Sequence, residues 1–324
     1  MSDQSNMIKV IEEFPAQCQT GLELTQGLTV TSKISSIVVA GMGGSGVAGD
    51  VLKAYMENQK SSILVHVSKD YTLPESVNSE TLVFINSYSG NTEETLSSYN
   101  EAVKKNAQII GITSGGELAE KCNRVIKLPP NFQPRAALGF LFFPILGVLN
   151  NTGIINVSTD EIKETLKLLE DTEEFRSEGR DIAKQIAERT PLIYATNKFA
   201  VAAYRWKCQL NENGKIHAFS NVFSELNHNE IVGYTTSKKE KFVTILLRDA
   251  LDHPRNIKRM DITKNIISQK ADVIEINSKG QSFLARLFSF IYLADYASYF
   301  IAMNQRIDPT PVAVIENLKK ELRD

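Results

Sequence analysis

Short apolar runs rich in β-branched residues recur along the first half of the chain. They are Ser36–Ala40, Ser62–Val67, Thr81–Asn86, Ala107–Ile112 and Arg124–Leu128. Each is five or six residues long and bounded by polar or glycine-rich turns, the signature of buried strands. Helical patterns separate most of them: one from the glycines at 41–46 to about Glu57, one from Glu93 to Lys105, and a short one after Ser114-Gly-Gly116. Residues 1–33 precede this series as one or two helices, with Ile8, Val10, Ile11 and Phe14 in partial helical spacing. Strands alternating with helices predict a parallel sheet covered on both faces.

Gln133-Pro-Arg135 opens an apolar helix over 136–149, which Asn150-Asn-Thr-Gly153 stops. The run is too short to span a bilayer and contains Pro144, so a buried core helix is expected. A charged helical connector, Thr159–Arg189, follows. The second half then repeats the plan more loosely, with strands at Pro191–Ala195, Phe242–Leu247 and Asp272–Ile276 and helices at Lys198–Asn211, Ser282–Asn304 and Val312–Leu322. The expected fold class is α/β, with two doubly wound parallel-sheet domains at 1–155 and 156–324, the second holding the connector and the terminal helix.

Composition changes this picture little but excludes several functions. Of 324 residues, 42% are hydrophobic and 23% charged, as in ordinary globular domains. A net charge of −2 offers no basic surface for nucleic acid or an anionic membrane. Cys18, Cys122 and Cys208 are scattered and the four histidines lack ligand spacing, which argues against disulfides and against a metal site. No apolar leader follows the N-terminus, so a cytoplasmic protein is expected.

Two turns carry candidate chemistry. Ser87-Tyr-Ser-Gly-Asn-Thr-Glu-Glu-Thr95 lies between a strand and a helix. Hydroxyls at Ser87, Ser89 and Thr92 around a glycine, beside unpaired N–H groups at a helix start, are the ingredients of a phosphate cradle. A simple helix cap explains one or two of these hydroxyls, but not three with a glycine and Asn91. Gly41-Met-Gly-Gly-Ser-Gly46 follows the first strand and matches G-x-G-x-x-G, with Gly43, Gly44 and Ser45 offering consecutive N–H groups. An NAD site is one reading of that match. Against it, the second strand ends Val67-Ser68-Lys69, without an acidic residue placed for a ribose.

Ser87–Thr95 resembles the phosphosugar-binding loop of sugar-isomerase (SIS) domains. Gly41–Gly46, Gln133-Pro-Arg-Ala-Ala-Leu-Gly139 and Glu225-Leu-Asn-His-Asn-Glu-Ile-Val-Gly233 are similar to the bifunctional phosphoglucose/phosphomannose isomerases. The resemblance runs from about Ser35 to Leu322 and implies two flavodoxin-like SIS domains. It also implies that the catalytic glutamate falls on Glu212 and the ring-opening histidine on His228. By residue type alone both would be ordinary solvated side chains.

The implied reaction interconverts glucose 6-phosphate and mannose 6-phosphate with fructose 6-phosphate through a cis-enediolate. A carboxylate lifted toward working pH by burial can move the proton between C2 and C1. A histidine suits opening of the sugar ring. A fixed cation opposes the enediolate charge, and Arg135, the sole charged residue between Lys127 and Asp160, is the candidate. Neither metal nor redox cofactor is needed. The resemblance further implies a homodimer in which the partner supplies the histidine. It also implies a lysine in the helix before Asp308-Pro309, but Asp295–Ala302 contains none. Rival readings are a phosphosugar sensor without catalysis, an NAD-dependent oxidoreductase, and an isomerase of another sugar phosphate.

Overall fold

The computed structural model describes residues 3–322. The chain divides into two units. Glu12–Glu170 with Gly280–Ala285 form the first; the segment up to Ile11, Asp171–Lys279 and the chain from Arg286 form the second.

Helix α1 (Met7–Glu12) is followed by α2 (Phe14–Glu23), which starts with a proline in its first turn. The sheet of the first unit comprises β1 (Ser36–Ala40), β2 (Leu64–Ser68), β3 (Thr81–Asn86), β4 (Gln108–Thr113) and β5 (Val125–Lys127). All pairings are parallel and the order is β2-β1-β3-β4-β5. Between the strands run α3 (Gly43–Asn58), α4 (Glu93–Lys104) and α5 (Gly116–Lys121). Strand β3 is central and every one of its residues is buried, which is why Thr81–Asn86 shows no polar alternation. Val38, Ala40, Val83 and Ile85 pack on one face with Leu73, Ala102 and Leu118.

The apolar run forms α6 (Leu138–Asn151), buried without a break from Leu138 to Leu149. It starts two residues later than its sequence suggests. Pro134–Ala136 instead makes a 3-10 turn, consistent with a proline that fixes φ at a helix entrance. The charged connector is two helices rather than one, α7 (Thr159–Leu169) and α8 (Thr172–Ile186). Ser158 and Asp171 cap them by accepting from Glu161 N and Glu174 N, at 3.1 and 3.3 Å.

The second unit holds β6 (Thr190–Thr196), α9 (Ala200–Glu212), β7 (Phe219–Phe223), β8 (Phe242–Arg248), α10 (Pro254–Ile267), β9 (Asp272–Asn277), α11 (Phe283–Asn304) and α12 (Ala313–Glu321). Its sheet is also wholly parallel, in the order β7-β6-β8-β9. Strand β7 and helix α10 are absent from the sequence reading. β7 is an edge strand whose first residue, Phe219, is 55% exposed, so it lacks a buried apolar run. α10 buries only Met260, Thr263 and Ile267.

In both sheets the second strand lies on one side of the first, and the third on the other. The order in which strands are added therefore reverses between β1 and β3 and again between β6 and β8, although all the strands remain parallel. Ligands of such sheets bind outside the carboxyl ends of the strands at this reversal. No helix among the described residues is long and apolar enough to cross a membrane.

Candidate active site

The first reversal brings Gly41–Ser45 and Ser87–Thr92 together, because Ala40 pairs with Ile85 at the ends of β1 and β3. Helix α3 begins at Gly43 behind Met42, and α4 begins behind Thr92. Neither start is capped by a side chain. The hydroxyl of Thr92 instead accepts from Ser87 Oγ at 3.1 Å. Two helix N-termini thus keep their first N–H groups without side-chain caps beside three hydroxyls, a concentration of donors suited to an anion.

The loops are stitched to one another. Ser45 Oγ accepts from Tyr88 N at 3.3 Å, and Asn86 Nδ2 donates to Ser45 O at 3.1 Å. The Tyr88 hydroxyl reaches Pro129 O at 2.5 Å, while its carbonyl accepts from Ser114 N and Oγ at 2.9 and 2.7 Å. Gly90 has a φ of +71°, and a Cβ there would lie 1.8 Å from Gly115 O, so only glycine fits. Asn91 serves the turn: its Oδ1 accepts from Glu117 N at 2.9 Å. Ser89 is exposed, Ser87 buried and Thr92 half-buried, so the hydroxyls run from the base of the loop to solvent.

Arg135 belongs to this cluster. A Cβ on Gly44 would lie 2.5 Å from Pro134 O and 2.9 Å from Arg135 Cα, so the 3-10 turn presses on the first turn of α3. Arg135 is 3% exposed, so its charge lies in the interior rather than at the surface. At the end of β2, Lys69 pairs with Asp50 at 2.5 Å, and no acidic side chain occupies the end of that strand, where a ribose would require one. Burial raises the Asp50 carboxyl above its ordinary value, opposed by the hydrogen bond from Lys69.

Glu212 and His228 lie in the second unit. Glu212 is the last residue of α9 and half-buried, inside the helix rather than beyond it. A polar ladder at i, i+4 spacing holds α9 to α11. Arg205 Nη2 meets Asp295 Oδ1 at 3.3 Å, Gln209 donates to the same carboxylate, and Asn213 Nδ2 donates to Ser298 Oγ at 3.1 Å. Lys215 then closes the helix end. Its ammonium donates to the carbonyls of Glu212, Pro309 and Pro311 at 2.5, 3.1 and 2.6 Å, a cation at a helix C-terminus. His228 ends a 3-10 turn, Glu225–His228, and is exposed.

Comparison with known proteins assigns the chain. Residues 31–140 match the SIS domain, and 175–322 match the bacterial phospho-glucose isomerase C-terminal SIS domain. A bifunctional phosphoglucose/phosphomannose isomerase of Caldicellulosiruptor bescii is 43% identical, covering 98% of this chain and 99% of that one. Another, from Aquifex aeolicus, is 38% identical over 97% and 98%. The chain belongs to the bifunctional phosphoglucose/phosphomannose isomerase family. The fold is shared more widely: tagatose-6-phosphate ketose/aldose isomerase from Escherichia coli superposes with a TM-score of 0.70 at 13% identity, covering 94% of each chain.

Within this family member, Gly43, Gly44, Ser45, Ser87, Ser89, Thr92 and Arg135 are gathered in the first unit, and Glu212 and His228 stand in the second. Lys215, Asn86 and Tyr88 support these groups and were not singled out from the sequence. Their partners are mostly backbone atoms in other elements, and no motif announces such bonds. Among the described residues, no cluster of three or more His, Cys, Asp or Glu is placed to hold a metal ion.

Proposed function

We propose that the protein interconverts glucose 6-phosphate and mannose 6-phosphate with fructose 6-phosphate. The observation that carries this reading is the pair of helix starts without side-chain caps, lined by Ser87, Ser89 and Thr92, in a chain of this family. The phosphate takes N–H groups from Gly43, Gly44 and the start of α4, together with the hydroxyls of Ser89 and Thr92, while Ser45 N donates to Met42 O at 3.0 Å and Ser87 Oγ donates to Thr92 Oγ1. His228 donates a proton to the ring oxygen as the C1–O5 bond breaks, and receives one from the anomeric hydroxyl. The Glu212 carboxylate removes the C2 proton of the open-chain aldose, leaving a cis-enediolate, and returns it to C1 while the O2 hydroxyl proton passes to O1, giving the ketose. Glucose and mannose phosphates lead to one enediolate, because they differ only in configuration at C2. Arg135 opposes the enediolate charge from a buried position, where water screens it least.

The phosphate end lies far from the reacting carbons. Its binding free energy serves to orient C1 and C2 rather than to change bonds. The working form is a homodimer in the cytoplasm. Exposure of His228 and of Val314, Leu318 and Leu322 on or just beyond α12 is in keeping with an association of chains, and the three free cysteines with a reducing compartment.

Glu212→Gln tests the mechanism. The expected loss of kcat is about 10²–10⁴-fold, the usual contribution of an acid–base group, with phosphosugar binding retained. The assay supplies fructose 6-phosphate and detects glucose and mannose phosphates separately. Turnover in this variant at the wild-type rate would exclude Glu212 as the base and leave a phosphosugar-binding protein as the better reading.

A further inference from the structure

The segment around His228 is pinned on both sides of the histidine. Before it, Leu226 is fully buried in a cluster with Tyr194, Phe223, Tyr234 and Met260, and Asn227 Nδ2 donates to Thr263 Oγ1 at 2.8 Å. After it, Asn229 Nδ2 donates to Glu225 Oε1 at 2.6 Å. Glu230 then inserts its carboxylate between two strands. Oε1 accepts from the Tyr194 hydroxyl on β6 at 2.5 Å, and Oε2 from Asn221 Nδ2 on β7 at 2.5 Å. Tyr234 continues the network, its hydroxyl 2.9 Å from that of Tyr194 and 2.8 Å from Thr244 Oγ1 on β8. Hydrogen bonds to a carboxylate are about twice as strong as neutral ones, so Glu230 is the firmest of these anchors. Burial, with Tyr234 and Glu230 beside it, pushes the Tyr194 phenol far up, so it remains a donor at any working pH. Among these residues His228 alone points to solvent without a hydrogen-bond partner of its own.

From this arrangement we infer that Glu230 is a positioning residue for His228. The inference rests on the reading of His228 as the ring-opening group. Glu230 is two residues from His228 and fixes the chain to strands β6 and β7, so the backbone that carries the imidazole is held in one position. A strained or mobile loop would spread it over many. Displacing a reacting group by about 1 Å costs about 10²-fold in rate.

Ring opening can be followed apart from isomerisation, as enzyme-catalysed exchange between the α and β anomers of glucose 6-phosphate measured by NMR. Four proteins are compared: wild type, His228→Asn, Glu230→Ala and the double variant. The expected result is a loss of anomer exchange of about 10²-fold in Glu230→Ala, with inorganic phosphate bound as in the wild type. The double variant should be no slower than His228→Asn alone, because one residue acts through the other. Glu230→Gln should recover much of the exchange, since its amide oxygen still accepts from Tyr194. If Glu230→Ala fails to fold, Tyr194→Phe removes one donor only and should show the same non-additivity with His228→Asn.

Exchange at the wild-type rate in Glu230→Ala, or losses that multiply in the double variant, would overturn the inference while leaving His228 in its role. Wild-type exchange in His228→Asn would instead remove the reading of His228, and the inference with it.

Discussion

The two strand-reversal points have the same topology and opposite electrostatics. At β1/β3 the loops offer hydroxyls, and the helices that follow start without side-chain caps. At β6/β8 the equivalent loops carry their own anions. Asp249, 3% exposed, accepts from Lys198 Nζ at 3.1 Å and Ser278 Oγ at 2.8 Å, and lies 3.0 Å from Arg286 Nε. Asp252 accepts from Thr196 Oγ1 at 3.0 and 3.1 Å. Helix α10 is capped as well, by His253 Nδ1 accepting from Arg255 N at 3.1 Å. In the first crevice the two helix starts have no side-chain caps. In the second, cations and hydroxyls already meet carboxylates from the chain itself. A doubly wound sheet supplies a place for a ligand; the side chains decide whether the place is open.

The sharpest way to break this contrast is to remove a cation from the second crevice. Arg286→Ala would leave the buried Asp249 carboxylate with Lys198 and the Ser278 hydroxyl. Losing one partner of a buried pair costs about 3–5 kcal/mol, and the remaining lysine puts the expected loss at the lower end. Urea unfolding measures it. A loss below about 1 kcal/mol would mean that the pairing does not organise the crevice.

Next in size is the cradle. Thr92→Ala should weaken fructose 6-phosphate binding by about 10–100-fold, taking the one lost hydrogen bond to a charged group as about 1.5–3 kcal/mol. Thr196→Ala, at the end of β6 in the other crevice, should leave that affinity unchanged. Equal effects by calorimetric titration would abolish the distinction between the two crevices.

The smallest effect concerns Asp252. Burial raises its carboxyl from the ordinary 3.8, with the hydrogen bond from Thr196 acting against this and Asp249 adding to it. A carboxyl raised on folding stabilises the fold only when protonated. That contribution is complete below the unfolded value and disappears as pH rises through the folded one. Asp252→Asn does not titrate, so its stability should rise relative to the wild type between about pH 4 and neutrality. Melting temperatures at the two ends of that window give the sign. A difference that narrows toward neutrality would show that the carboxylate is favoured where it stands.

Much of the fold was legible because it is written locally. Val38–Ala40 and Val83–Ile85 are buried on both faces, so the strands appear as unbroken apolar runs. The turn over Ser87–Thr92 was legible for a similar reason: a hydroxyl-rich turn at a strand–helix junction needs only six consecutive residues. β7 was not, because an edge strand half open to solvent carries no such run. Glu212 and His228 became visible through family likeness rather than through their own surroundings in sequence.

The amino-acid order by itself determined the alternation of strands and helices, the turn chemistry of Ser87–Thr92 and the glycine at 90. Each depends on backbone preference and on neighbours within a few positions. Tertiary structure decided the rest. It set Arg135 against the start of α3, joined Lys198, Asp249 and Arg286 in the second crevice, and tied Glu230 to Tyr194 and Asn221. Those partners are separated by up to about ninety positions in the chain. The physical reason is that buried polar groups must find partners in space, and sequence spacing does not say which will be near.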